Sequence, residues 1–118
     1  MAFVKHLISV PKLPHEVHDQ DNGVHILEYI ADEESTLQDG DTLVRFETWW
    51  AVLELRSHVK CWVSKNLYDR PMFRRTLVKV GELLSVAYSD VDDLVGINEP
   101  FFYLVVTTKL REKPPKRQ

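Results

Sequence analysis

TWWAVLELRSHVKCWVSK, residues 48–65, is the stretch whose reading decides the fold. It holds neither Gly nor Pro, and two templates fit it. On a helix, Ala51, Val52, Leu55, Val59, Trp62 and Val63 share one side at spacings of three and four. Glu54, Ser57, His58, Ser64 and Lys65 fall mostly opposite. On a strand, Leu53, Leu55, Val59, Cys61 and Val63 alternate with Glu54, Arg56, His58 and Lys60. The Val and Trp content favours the strand. Length and punctuation favour the helix: a single strand from Thr42 to Val63 is far longer than usual, and no Gly or Pro turn divides it. Thr48 suits an N-cap and Asn66 a C-terminal cap. Glu47 and Glu54 lie early, and Lys60 and Lys65 late, as the helix dipole favours. These features predict a helix over 48–65 that points Trp62 into the core and Trp50 toward the polar side.

A second helix is predicted over 70–88. Asp69 is a candidate N-cap, and Pro71 stands where a helix tolerates it. Met72, Phe73, Thr76, Leu77, Val80, Leu83, Leu84 and Ala87 make a broad apolar stripe opposite Arg74, Arg75, Lys79 and Glu82. Gly81 is the flaw in it, costing about 1 kcal/mol against Ala.

Strands are predicted over 2–10, 24–31, 42–47 and 101–110. Pro11, Asn22-Gly23, Asp39-Gly40 and Asn98-Glu99-Pro100 punctuate them. The run Phe101 to Val106 is apolar without a break. It suits a central strand, or an edge strand covered by a second copy, because an uncovered apolar edge aggregates. The expected fold is α+β: one domain over 1–110, with an antiparallel sheet of about four strands and both helices on one face. The order is β-β-β-α-α-β, and residues 111–118 form a solvated basic tail. The alternative is a larger sheet with one long helix.

The chain has 118 residues, 44% of them hydrophobic, which fits a single domain with a real core. Its one cysteine, Cys61, excludes an intramolecular disulfide and fits a reducing, intracellular setting, cytoplasmic or nuclear. No apolar run approaches the roughly 18 residues of a membrane span. The net charge of −3 is distributed in blocks: −8 over residues 1–54, +6 over 55–80, −5 over 81–108 and +4 over 109–118. Opposite blocks of this kind pair within a fold or between subunits.

Four constellations carry possible chemistry. His15, His18 and His25, among Glu16, Asp19 and Asp21, supply metal-type ligands, but Pro14 and Gly23 break the helix that would align them. Cys61 and His58 stand three apart, with no Gly-rich turn nearby to supply an oxyanion site. Arg70, Arg74, Arg75 and Lys79, with Lys109, Arg111, Lys113, Lys116 and Arg117 of the tail, form a basic set able to meet phosphates, against an acidic total charge. Trp50, beside Trp49, is an aromatic anchor for a partner. No phosphate-binding loop, dinucleotide fingerprint or nucleophile elbow occurs.

The function expected from these features is a non-enzymatic protein-interaction or assembly module without a cofactor, self-associating as a homodimer or acting as an accessory to another protein. A nucleic-acid-binding accessory protein is the first alternative. A small metal protein or enzyme using the His15–His25 loop is the second.

Overall fold

The computed structural model describes residues 2–68 and 76–114. Nine strands form in chain order: β1 (Phe3–Ser9), β2 (Gly23–Tyr29), β3 (Thr36–Leu37), β4 (Thr42–Glu47), β5 (Ala51–Ser57), β6 (Cys61–Asn66), β7 (Leu77–Lys79), β8 (Leu83–Asp90) and β9 (Phe102–Lys109). They build two antiparallel sheets, one ordered β1-β8-β6-β3 and the other β7-β2-β4-β5-β9. The only helical elements among the described residues are short 3-10 turns at His15–Val17 and Val91–Leu94. Both the α+β expectation and its one-helix alternative are therefore overturned: the described residues are mostly β, in two antiparallel sheets. Among the described residues no helix is long and apolar enough to cross a membrane.

The predicted helix over 48–65 is a hairpin arm followed by a new strand. Alternation wins because two hydroxyls close the turns that Gly and Pro do not mark. At the β4–β5 tip, Thr48 Oγ1 accepts from Trp50 N at 3.2 Å, and Thr48 N donates to Ala51 O at 2.9 Å. After β5, Ser57 Oγ donates to Val59 O at 2.6 Å and accepts from Val59 N at 3.1 Å. Such side-chain-to-backbone bonds replace the usual turn residues. Leu53, Leu55, Val59, Cys61 and Val63 then face inward. Trp62 faces outward, contrary to the helical expectation, stacking on Tyr88 at 5.5 Å and meeting Phe3 edge-on at 5.0 Å.

The second predicted helix fails for a related reason. Its start, 69–75, lies outside the described residues, and from Leu77 the chain is β7, a turn and β8. Gly81 is the turn residue. Its φ of +90° belongs to the region that favours glycine, and its N donates to Val10 O at 2.8 Å. Leu84 and Ala87 lie on the inner face of β8. Apolar spacings of three across a turn thus imitate a helical stripe.

The predicted strands at 2–10, 24–31, 42–47 and 101–110 correspond to β1, β2, β4 and β9. The inner faces of the two sheets close one core. The first contributes Ile8, Leu37, Cys61, Val63, Leu84 and Ala87, and the second Val24, Leu43, Phe46, Leu53, Leu55 and Val78. Strand β2 begins where backbone meets backbone: a Cβ on Gly23 would stand 2.7 Å from Val78 O. Buried polar groups are satisfied. Ser89 Oγ donates to Lys60 O, so it accepts from His6 Nε2 at 2.8 Å, and Asn66 bridges Ala31 O and Ser85 Oγ at 2.8 Å each.

On the outer face of the second sheet, Glu54 of β5 is the centre of an ion network. It accepts from Thr42 Oγ1 at 2.8 Å, from Arg56 at 2.8 and 3.1 Å, and from Arg45 at 3.3 and 3.4 Å. Arg45 reaches on to Glu28 at 2.6 Å. Arg45 and Glu54 are cross-strand partners, as are Glu28 and Arg45, so the register itself assembles the network.

Candidate functional site

The β4–β5 turn projects Trp49 and Trp50 from the end of the second sheet. Trp49 is 59% exposed, a large value for a residue with so much apolar surface. The loop before β2 approaches from one side: Asp19 Oδ2 accepts from Trp49 N at 3.0 Å. Within that loop His18 Nε2 donates to Asn22 Oδ1 at 2.8 Å, and Asn22 takes a left-handed φ of 52°. The chain beyond β9 approaches from the other side. Leu110 N and Arg111 N both donate to Trp50 O, at 2.7 and 3.1 Å.

Between them lies an open groove of about 1420 Å³, lined by residues 18–21, His25, residues 47–50, Leu110, Arg111 and Lys113. Both tryptophan rings meet a cation. The Arg111 guanidinium carbon sits 3.6 Å from the Trp49 ring centroid, and Arg111 also donates to Trp49 O at 2.6 Å. Lys113 Nζ lies 5.6 Å from the Trp50 ring centroid and donates to His18 O at 2.5 Å. These distances are in the range where ring quadrupoles attract cations. Asp19, Asp21 and Glu47 contribute carboxylates to the same walls.

Three expectations from the sequence thus converge here. Trp49 and Trp50 from the partner-binding pair, His18 and His25 from the histidine set, and Arg111 and Lys113 from the basic set share one groove. His15 lies in a 3-10 turn and does not line it. Among the described residues, no group of three or more His, Cys, Asp or Glu side chains is placed to hold a metal ion. Lys79 belongs to β7, opposite Gly23, rather than to a basic helix face. Arg70, Arg74, Arg75, Lys116 and Arg117 lie outside the described residues. His58 and Cys61 do not form a pair. The His58 ring stacks on Tyr103 at 3.9 Å and faces Asp39, while Cys61 is buried and its thiol is pushed up to about 11 by that burial.

Comparison with protein-family models, curated proteins and solved structures finds no match to this chain. Any functional conclusion therefore rests on the groove itself. Sequence reasoning missed Glu47 as a member of the site; it placed Asp19 and Asp21 with the metal-type histidine set and Arg111 with the basic tail, and did not join the two sets to the tryptophans. The available signal for Glu47 was its place at the end of the predicted strand 42–47, two residues before Trp49.

Proposed function

We propose that this chain is a non-enzymatic protein-interaction module whose contact surface is the tryptophan-tipped groove. The observation that carries this reading is the tip itself: two adjacent tryptophans, one mostly exposed, stand on a turn braced from both sides. Tryptophan is the residue that most often dominates the energy of a protein contact, and a braced tip loses little entropy on binding. Walls carrying charges of both signs suit a polypeptide rather than a purely apolar molecule. The buried, unpaired Cys61 fits an intracellular setting for such a module. The test is selection of peptides from a random displayed library on the full-length chain. Selected peptides are expected to bind the Trp49→Ala/Trp50→Ala variant about tenfold or more weakly, as hot-spot truncation does. A library that yields no binder, or binders indifferent to both tryptophans, overturns the proposal.

Self-association is a second reading, favoured by β9. Among the described residues β9 pairs only with β5, so its other edge is open. His58 N donates to Phe101 O, which fixes the alternation of the ladder and turns the backbone groups of Phe102 and Leu104 away from β5. Val106 is 46% exposed beside them. An edge of this kind pairs with another strand unless it is protected. Light scattering over a concentration series is expected to show the mass rising toward twice the single-chain value, and Val106→Lys is expected to abolish the rise. A constant single-chain mass at all concentrations removes this reading.

A further inference from the structure

Residues 110–113 lie in the groove as a bound peptide would. Two backbone amides donate to Trp50 O, and two cationic side chains two residues apart each cover one tryptophan ring. Arg111 stands at a bend, and past that bend the two cations, two residues apart, reach the two adjacent rings. The rest of the lining has the opposite character. Among the described residues apart from Arg111 and Lys113, it includes the carboxylates of Asp19 and Asp21 and no Lys or Arg.

We propose that the groove receives a segment of a partner protein carrying two basic side chains two residues apart, and that residues 111–113 of this chain hold the place until it is displaced. This rests on the groove reading above and names its ligand class. The tail is suited to exchange: Arg111 is exposed, and its contacts are side-chain and turn contacts at a surface rather than part of the core. A partner protein is favoured over a second copy of this chain. Reciprocal exchange of identical tails replaces each contact with the same contact, and leaves the entropy of association uncompensated. An incoming segment with more contacts than the tail gains from the exchange. A tail that covers the groove about nine-tenths of the time weakens an incoming ligand about tenfold.

The test uses the full-length chain and a synthetic peptide, acetyl-Lys-Leu-Arg-Glu-Lys-Pro, which repeats residues 109–114. The Arg111→Gln/Lys113→Gln variant is expected to bind this peptide about tenfold more tightly than the unaltered chain. Adding Trp49→Ala is expected to remove that gain. A control peptide with Gln at both basic positions is expected to bind neither protein, and raised salt is expected to weaken the basic peptide. Independently of any variant, saturating basic peptide is expected to shift the indole N–H resonances of Trp49 and Trp50 in the unaltered chain and leave that of Trp62 in place. Equal affinity for the basic and Gln peptides overturns the proposal, as does unchanged affinity in the Arg111→Gln/Lys113→Gln variant. Tail-dependent doubling of mass overturns the choice of a partner over a second copy. A library that selects peptides without paired basic residues sinks this inference while leaving the groove reading intact, whereas an empty library removes the groove reading itself.

Discussion

Replacing Phe46 with alanine is expected to lower the stability of the fold by about 3–5 kcal/mol. Among the described residues Phe46 is the largest of the fully buried side chains. It sits on β4, paired with Ile26 of β2 and Leu53 of β5, and so occupies the middle of the five-stranded sheet where it faces the other sheet. Its removal forfeits the transfer of an aromatic ring from water and leaves a cavity that strands held on both sides cannot collapse to fill. A domain of this size has about 5–15 kcal/mol in total, so the change consumes a large part of the margin. Urea unfolding is the measurement: the midpoint drops while the slope is unchanged. Phe46→Leu, which nearly conserves volume, is expected to cost under about 1.5 kcal/mol. A loss below about 1 kcal/mol for Phe46→Ala would mean that the two sheets do not close over this ring.

The second large effect belongs to Glu54. Glu54→Ala is expected to cost about 2 kcal/mol, because a nearly buried carboxylate disappears from among three donors. Arg45 and Arg56 are about one-third exposed and regain water when their partner goes, which keeps the loss below that of a fully buried pair. The charge carries a pH signature. Burial alone pushes the Glu54 carboxyl upward, but the hydrogen bonds from Arg56, Thr42 and Arg45 and the charge of Arg56 outweigh it and hold it below its ordinary value of 4.5. The folded state therefore binds this proton less readily than the unfolded state. The stabilisation is fully present above pH 4.5 and fades as the pH falls through the lower folded value. Glu54→Gln removes the titration while keeping the shape. The stability gap between Glu and Gln at this position is expected to be widest near neutrality and to shrink on acidification. A gap of constant size from pH 7 to pH 3 would refute the charge-based account.

What the sequence reveals of this fold follows from how its turns are made. β1, β2, β4 and β9 are legible because Pro11, Asn22-Gly23, Asp39-Gly40 and Pro100 mark their ends. β5 and β6 are hidden because Thr48 and Ser57 close their turns with hydroxyls, which look like ordinary polar residues in a chain without Gly or Pro. β7 and β8 are hidden because the apolar residues on either side of Gly81 keep a helix-like spacing across the turn. The site is legible only in part. Trp49 and Trp50 stand out as adjacent aromatics between a strand and a polar loop. Their partners come from far along the chain: Asp19 is 30 residues away from Trp49, Arg111 is 62 residues away from it, and Lys113 reaches His18 across 95. Separations of that length are set by sheet topology, which no local pattern encodes.

Cys61 gives the molecule a built-in clock. Its sulfur lies in the interior, on β6 of the four-stranded sheet, where burial pushes the thiol up to about 11 and keeps it protonated and inert. A soluble alkylating reagent therefore marks a molecule only at the moment β6 comes away from its neighbours. With one such atom per chain, the rate of marking under native conditions reads the fraction of molecules with that sheet open when reclosing outpaces alkylation, and the rate of opening when the reagent is concentrated enough to outpace reclosing.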